Sequence, residues 1–137
     1  MITREEVMEL GVTFWELTRQ HVPVVEIEPY FINPGILVPN GELMSLEAHQ
    51  SMHLGFRDET HDWRTMTVTP ICDAPERVLA IGDVAWEASF TDGREGRIKS
   101  VVSETWIIER GSDGALRWTF YWSNAIALAE GSAPFES

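Results

Sequence analysis

The sequence predicts a single α+β domain in which helices come first and a mainly antiparallel sheet follows. Apolar residues recur at helical spacing up to about residue 58, and at every second position after Thr60. A chain of 137 residues is also long enough to bury a core without disulfides or metals. We therefore expect one domain over residues 1–137, with a frayed tail over residues 130–137.

The first helix is predicted to begin after Thr3 and to end at residues 21–23. Thr3 and Glu6 have the spacing of a capping box, in which each side chain bonds the backbone N–H of the other residue. Apolar side chains then follow three and four residues apart, which is typical of a helix with one buried face. They are Val7, Leu10, Phe14 and Leu17.

The segment over residues 24–41 is broken by prolines and by Asn-Gly, so we expect a short helix or extended piece, a turn and a short strand. Ser45 has the side chain of a helix cap, and a second helix is predicted from Leu46 to about Asp58. Four strands follow, separated by turn-forming sequences. They are predicted over residues 65–71, 78–90, 98–108 and 116–128.

Charge and cysteine content narrow the classes of function. The chain has 22 acidic and 10 basic residues, and Lys99 is its single lysine. Binding to phosphate backbones needs clustered basic side chains, so we expect no nucleic-acid partner. We expect a cytoplasmic protein without a membrane partner, because the chain has one cysteine, no basic-then-apolar leader and no apolar run of about 20 residues.

The order of these elements resembles the nuclear transport factor 2-like superfamily, which includes ketosteroid isomerase, scytalone dehydratase and the SnoaL-like cyclases. The resemblance covers a helix, an irregular middle with a short strand, a second helix and a long-stranded meander that closes on LRWTFYWSN at residues 116–124. It implies a cone-shaped fold, in which helices pack on a strongly curved sheet that encloses a pocket. It also implies a homodimer formed through the outer face of the sheet.

Glu104 is the first candidate for a catalytic residue. The alternation of its strand places it on the apolar face with Trp106, and burial among indoles would raise its pKa and prepare a general acid. The predicted hairpins place Glu104 opposite Val84 on one side and Trp122 on the other, with Asn124 diagonal to it. The alternative is a structural acid that an indole N–H, Asn124 or an arginine satisfies.

By resemblance, Glu104 falls near the acid of the oxyanion hole in ketosteroid isomerase. That enzyme places its proton-abstracting aspartate on the short early strand, where this chain has ILVPN at residues 36–40. Because no carboxylate stands there, steroid-type isomerisation is not expected.

His49 and His53 are the next candidates, since a spacing of four residues places both imidazoles on one helix face. Leu46 and Phe56 share that face, so at least one imidazole is expected to point inward and to act as an acid or base with Glu104. The alternative is a pair of polar residues at the rim of the pocket. No third ligand stands at a metal-binding spacing, and we expect no metal.

Aromatic residues are the candidates for ligand binding. Alternation places four tryptophans on the apolar face of three consecutive strands, where they either fill the core or line a pocket for a flat, apolar ligand. They are Trp86, Trp106, Trp118 and Trp122. Tyr30, Tyr121 and Asn124 are candidates to hydrogen-bond a ligand carbonyl. Tyr121 falls on the face away from Trp122, so its alternative role is in the subunit interface.

The sequence leaves three functions open. The first is acid/base chemistry on a small hydrophobic metabolite, as in a cyclase, isomerase, dehydratase or epoxide-opening enzyme. The second is non-catalytic binding of such a molecule, and the third is a dimeric scaffold. If the protein is an enzyme, we expect a cofactor-independent isomerase, lyase or hydrolase.

Overall fold

The computed structural model describes residues 1–135, which form two α-helices, two short 3₁₀ helices and one six-stranded sheet. The α-helices are α1 (Arg4–Arg19) and α2 (Leu46–His53), and the 3₁₀ helices are Val24–Glu26 and Glu28–Tyr30. The strands are β1 (Ile36–Leu37), β2 (Leu43–Met44), β3 (Phe56–Asp73), β4 (Glu76–Phe90), β5 (Ile98–Arg110) and β6 (Leu116–Leu128). In space the strand order is β2-β1-β6-β5-β4-β3, and β1–β6 is the one parallel pair. The predicted α+β class, with helices on a mainly antiparallel, curved sheet, is confirmed.

Helix α1 begins where the capping box predicts and crosses the inner face of the sheet. The Thr3 hydroxyl accepts from the Glu6 backbone N–H at 3.1 Å, and the Glu6 carboxylate accepts from the Thr3 N–H at 3.0 Å. At Gly11 the helix comes so close to the sheet that an added Cβ would lie 2.9 Å from the rings of both Trp63 and Trp106. The absence of a side chain at Gly11 therefore allows the backbone of α1 to pack directly against these two tryptophans.

Helix α2 is shorter than predicted, because it ends at His53 and strand β3 begins at Phe56. The backbone N–H of Thr91 donates to Gly55 O at 3.0 Å, and Phe56 already pairs with Phe90 of β4. The expectation of a helix to about Asp58 is therefore wrong, as is a first long strand that starts at residue 65. Pairing with β4, which acts over a long range in sequence, overrides the local helical pattern.

Strand β6 carries two bulges that the sequence analysis did not foresee. Asn124 is extra between the pairs Ser103–Ala125 and Glu104–Ser123, and Thr119 is extra between two further pairs of β5 and β6. Each extra residue reverses which face the following side chains occupy. The predicted pairing of Glu104 with Trp122 is consequently wrong. Its predicted pairing with Val84 is wrong because the hairpin of β4 and β5 sets a register two residues away from the expected one.

The observed register gives Glu104 the cross-strand neighbours Gly82 and Ser123, in place of Val84 and Trp122. Between the two bulges, Tyr121 points inward and Trp122 outward, which is the reverse of the prediction. The inner face near Glu104 therefore carries a phenol and a hydroxyl where an indole and an amide were expected.

Residues 130–135, which were expected to fray, lie against the sheet instead. The backbone N–H of Ala133 donates to Arg97 O at 2.9 Å, and the Phe135 ring lies 5.2 Å from the Trp86 ring in an edge-to-face contact. Residues 136 and 137 of the expected tail lie outside the described residues. Within residues 1–135, none of the helices has the length and apolar character needed to cross a membrane.

Candidate functional site

A cavity opens on the concave side of the sheet, between α2, β1, strands β5 and β6 and the C-terminal segment. The room inside it that a water-sized molecule can occupy is about 100 Å³. Most of the walls are apolar, and the polar side chains cluster on β5, β6 and α2, as in many small-molecule sites. The lining residues are Trp15, Ile36, Val38, Pro39, Met44, His49, Met52, Trp86, Val102, Glu104, Tyr121, Ser123, Ala125, Ile126 and Phe135.

Glu104 is the buried acid of this cavity, with 4% of its surface exposed. The Ser123 hydroxyl donates to its carboxyl group at 3.0 Å, and the Trp106 indole N–H donates to the same group at 3.2 Å. Burial raises the pKa of Glu104 to about 8, although these hydrogen bonds and one with Tyr121 act in the opposite direction. At neutral pH the group is a carboxylic acid, which can donate a hydrogen bond or a proton.

Tyr121 extends the polar wall beside Glu104. Its ring is buried among Phe14, Trp106 and Trp118, and its hydroxyl accepts from the Trp15 indole N–H at 3.2 Å. Burial, together with the neighbouring Glu104 carboxyl, raises the pKa of the Tyr121 phenol well above 10. The phenol is therefore a neutral hydrogen-bonding group. The expected position of Tyr121 on the outer face is wrong, because the bulge at Thr119 turns it inward.

His49 is the imidazole that reaches the cavity wall. Its ring stacks against the Phe14 ring, with centroids 5.6 Å apart, and lies 4.4 Å from the His53 ring behind it. Burial lowers the pKa of His49 well below 6.5, and the charges of His53 and His61 lower it further. The imidazole is therefore neutral at physiological pH.

His53 is buried behind His49, where it meets a residue that the sequence analysis did not consider. The His53 Nδ1 lies 2.7 Å from the Glu59 Oε1, and the Trp86 indole N–H donates to the same oxygen at 3.0 Å. Burial acts to raise the pKa of Glu59, but the His53 hydrogen bond and charge and the Trp86 hydrogen bond outweigh it and lower that pKa. Glu59 is thus a buried carboxylate that His53 and Trp86 hold.

A bulge at the start of β3 explains why Glu59 was missed. Arg57 pairs with Ser89 and Thr60 pairs with Glu87, so two residues of β3 stand opposite one residue of β4. Asp58 has a positive φ of 53°, and the extra residue turns Glu59 from the outer face to the inner face. The one signal in the sequence is Asp58 itself, a residue type that tolerates this conformation.

Of the residues predicted to bind a ligand, Trp86 lines the cavity and the others lie elsewhere. Trp86 lines the cavity, whereas Trp106 and Trp118 are fully buried core residues that do not. The inward placement expected for Trp122 and Asn124 is wrong, since both lie on the outer face beyond the bulge at Thr119. Their polar atoms bond Val38 O and the Thr105 hydroxyl respectively, and Tyr30 packs on the core away from the cavity.

His61 does not join the other two histidines in a metal centre. Its ring stacks on Trp15 with centroids 4.7 Å apart and ring planes 8° from parallel. Burial, together with the charge of His53, lowers the pKa of His61 to about 3 against the opposing charge of Glu59. Over residues 1–135, no group of three histidine, cysteine or acidic side chains is arranged to hold a metal ion.

The arrangement places a protonated carboxyl group and an unprotonated imidazole in the wall of one cavity. Glu104 holds a proton below about pH 8, and His49 is an unprotonated imidazole at neutral pH. Environments that push the pKa values of two groups in opposite directions are a feature of acid/base sites. The apolar remainder of the wall lowers the local dielectric around both groups, which strengthens their interaction with a bound molecule.

The similarity of this chain to known proteins lies in its three-dimensional structure. No protein-family model and no curated protein matches the sequence. A scytalone dehydratase-like protein from Novosphingobium aromaticivorans superposes with a TM-score of 0.69 at 10% identity, over 90% of this chain and 81% of that one. A hexachlorocyclohexane dehydrochlorinase from Novosphingobium barchaimii superposes with a TM-score of 0.65 at 14% identity, over 98% of this chain and 94% of that one.

A third structure, a nuclear transport factor 2-like protein from Cytophaga hutchinsonii, superposes with a TM-score of 0.58 at 10% identity, over 94% of this chain and all of that one. At such identities the likeness concerns the fold, and it covers nearly the whole of residues 1–135. The resemblance inferred from the order of elements is confirmed at that level. This chain has the nuclear transport factor 2-like cone fold.

Proposed function

We propose that the cavity binds a small, mainly apolar molecule and performs acid/base chemistry on it, with Glu104 as the acid and His49 as the base. The observation that carries the proposal is the presence of a protonated carboxyl group and a neutral imidazole in the wall of one cavity. Of the two histidines that the sequence offered, His49 has access to a ligand, and His53 stands behind it.

The chemistry follows from these two protonation states. His49 removes a proton from a carbon of the bound molecule, while Glu104 hydrogen-bonds the oxygen on which negative charge develops. If the carbon–oxygen bond breaks, Glu104 transfers its proton to the leaving hydroxyl group, and the products are an alkene and water. If that bond stays intact, return of the proton at another carbon gives an isomer.

The substrate class follows from the walls. Trp15, Trp86 and Phe135 offer aromatic surfaces, and methionine and aliphatic side chains fill most of the rest. The polar wall offers hydrogen-bond donors to one oxygen function of the ligand. The cavity therefore suits an uncharged or weakly acidic molecule with a flat apolar body and one carbonyl, hydroxyl or epoxide oxygen.

One protein with the same fold acts on a substrate of this apolar class. One of the superposed proteins is a dehydrochlorinase of hexachlorocyclohexane, an apolar molecule. Elimination of that kind needs a base that takes a proton from carbon, and His49 is a group of that type here. The likeness in fold supports the reaction class, and the residues of this cavity supply the argument for it.

A generic probe of a base in an apolar cavity tests the proposal without knowledge of the natural substrate. In 5-nitrobenzisoxazole a base takes the proton on carbon, the N–O bond breaks, and a coloured cyanophenolate forms. We expect saturable turnover by the wild-type protein. His49→Gln should reduce kcat by about 100-fold or more, the scale of a lost general base.

His21→Asn is the matched control for this experiment. His21 lies outside the cavity and has a positive φ of 55°, which asparagine tolerates, so turnover of the probe should not change. A wild-type rate that does not saturate, or one that His49→Gln leaves unchanged, would remove His49 from the chemistry. Quenching of tryptophan fluorescence by the probe without turnover would instead favour the alternative function, non-catalytic binding.

We also propose a homodimer through the outer face of the sheet. The cross-strand rows of β4, β5 and β6 place Ile81 and Trp122 on that face, and Ile81 is 51% exposed. Exposed apolar side chains on a sheet are suited to a second copy of the same surface. Ile81→Arg should shift sedimentation to a monomer, whereas Val12→Arg, on exposed α1 surface, should not. A monomer in the wild-type protein at micromolar concentration would contradict the proposal.

We further propose that the protein works in the cytoplasm. Its single cysteine, Cys72, is free, as is usual where thiols stay reduced. Fractionation of cells that express the protein with a C-terminal tag tests this, and recovery in a secreted or periplasmic fraction would contradict it.

A further inference from the structure

A second recess adjoins the cavity, between α2, the facing ends of β3 and β4 and the C-terminal segment. It has about 450 Å³ of room for water-sized molecules, against about 100 Å³ in the cavity. Its walls are apolar side chains and one guanidinium group, that of Arg94 from the loop between β4 and β5. The residues of this outer recess are Met52, Phe56, Phe90, Arg94, Pro134 and Phe135.

The outer recess and the cavity share part of their walls. Met52 and Phe135 line both spaces. The Phe135 ring lies 5.2 Å from Trp86, in the cavity wall, and 6.0 Å from Phe56, in the recess wall. Because the cavity is small, a bound molecule that is longer than the cavity extends past Met52 and Phe135 into the outer recess.

Arg94 lies over the recess with one end of its guanidinium group unused. The guanidinium carbon is 4.1 Å from the centre of the Phe90 ring, which is a cation–π contact. The Asp92 carboxylate accepts from Nε at 3.1 Å and lies 3.0 Å from Nη2. Nη1 forms no hydrogen bond with any group of residues 1–135. Its two N–H groups are therefore available to an acceptor on a ligand.

The charged groups around Arg94 favour a ligand group with a single negative charge. Asp92 already offsets part of the Arg94 charge, and Glu95 is exposed in the same loop. The neighbouring Arg57 and Arg97 are paired with acidic side chains of their own. A carboxylate carries one charge and matches the planar guanidinium group, whereas the two nearby acids would repel a doubly charged phosphate more strongly.

We propose that the ligand of the cavity carries a carboxylate that binds Arg94, joined to the body of the molecule by a short apolar linker that lies along the outer recess. The proposal rests on the proposed binding of a small apolar molecule in the cavity, and it adds the second end of that molecule. Arg94 is then a specificity-determining residue, because it selects the charged end while Glu104 binds the oxygen function at the other end.

The exposure of Arg94 is compatible with this role. Its side chain is 64% exposed, so a carboxylate bound there keeps most of its contact with water. The ligand therefore does not bury a charge among the apolar walls, which would be strongly unfavourable. Only the linker and the body of the molecule lie against the aromatic and methionine side chains of the two spaces.

Binding of phenylalkanoic acids and of their primary amides tests the proposal, since each pair has the same apolar body and differs in charge. Isothermal titration calorimetry near neutral pH measures the dissociation constants for linkers of increasing length. At the linker length that reaches Arg94, the acid should bind about fivefold more tightly than its amide, which is the scale of an exposed ion pair. This preference should shrink at high salt.

Arg94→Gln should remove the preference, so that acid and amide bind alike. Arg64→Gln is the matched control and should keep the preference. Arg64 is exposed on β3 outside both spaces, and its loss changes the net charge by the same amount. A fault in folding or packing would weaken the acid and the amide together, so the ratio of their affinities reports the carboxylate contact alone.

Two results would overturn the proposal. One is an acid that binds no more tightly than its amide at any linker length. The other is a preference that Arg94→Gln leaves intact, which would place the carboxylate at another part of the wall.

Calorimetry needs no turnover, so the outcomes separate this proposal from the proposed function. If the preference depends on Arg94 and 5-nitrobenzisoxazole is not turned over, the acid/base chemistry fails and the carboxylate site stands. If the probe is turned over and no such preference exists, the carboxylate site fails and the acid/base chemistry stands.

Discussion

Glu104→Gln tests the claim that the cavity contains a carboxylic acid, by way of the pH dependence of stability. The pKa of Glu104 is about 8 in the folded protein, and its ordinary value is 4.5. Between these values the folded chain holds a proton that the unfolded chain releases, so the stabilising contribution of the protonated group is full below about pH 4.5 and is lost as the pH rises towards 8. The slope is about 1.4 kcal/mol per pH unit within this window.

Between about pH 5.5 and pH 7.5, the wild-type protein should therefore lose about 3 kcal/mol of unfolding free energy relative to Glu104→Gln. The histidines titrate in both proteins, so their contributions cancel in the difference. Urea unfolding followed by tryptophan fluorescence measures it at three pH values.

Glu95→Gln is the control for this experiment, because Glu95 lies exposed in the loop between β4 and β5. Its difference from the wild type should be the same at every pH. A difference between Glu104→Gln and the wild type that is also independent of pH would refute the reasoning, because it would mean that Glu104 is ionised in the folded protein.

Three further predictions concern neighbouring parts of the molecule. Gly11→Ala should destabilise the protein by about 1–3 kcal/mol in urea unfolding, because its Cβ meets two indole rings at 2.9 Å; an unchanged midpoint would contradict the close seat of α1. Ser123→Ala removes a donor that lowers the Glu104 pKa, so the pH dependence of unfolding should extend to higher pH, and a shift to lower pH would contradict the assigned bond. Phe135→Ala opens the cavity beside Trp86, so stopped-flow fluorescence should show faster release of 5-nitrobenzisoxazole, and unchanged release would place the mouth elsewhere.

The order of elements could be predicted from the sequence because it depends on local signals. The capping box of Thr3 and Glu6, the helical spacing in α1 and the alternation in β4 and β5 are all present over short stretches of chain. Burial of Glu104 followed from the same alternation, because β4 and β5 pair without a break. Each of these features is decided within one or two neighbouring elements.

The composition of the site could not be predicted in the same way, because three bulges decide which side chains face inward. Extra residues at Thr119 and Asn124 bring Tyr121 to the inner face, and the bulge at Asp58 does the same for Glu59. A bulge depends on how two strands pair across the sheet, and strict alternation within one strand cannot reveal it. The end of α2 was missed for a related reason, since pairing with β4 decides it.

The central claim is that a neutral acid and a neutral base share the cavity, and the pH dependence of 5-nitrobenzisoxazole turnover tests it most directly. The wild-type kcat should be level through neutral pH and fall above about pH 8, because an ionised Glu104 would oppose the negative charge that develops on the probe. In Glu104→Gln this fall should disappear. A wild-type rate that instead rises through about pH 8 and loses the rise in Glu104→Gln would contradict the account, since Glu104 would then be the base.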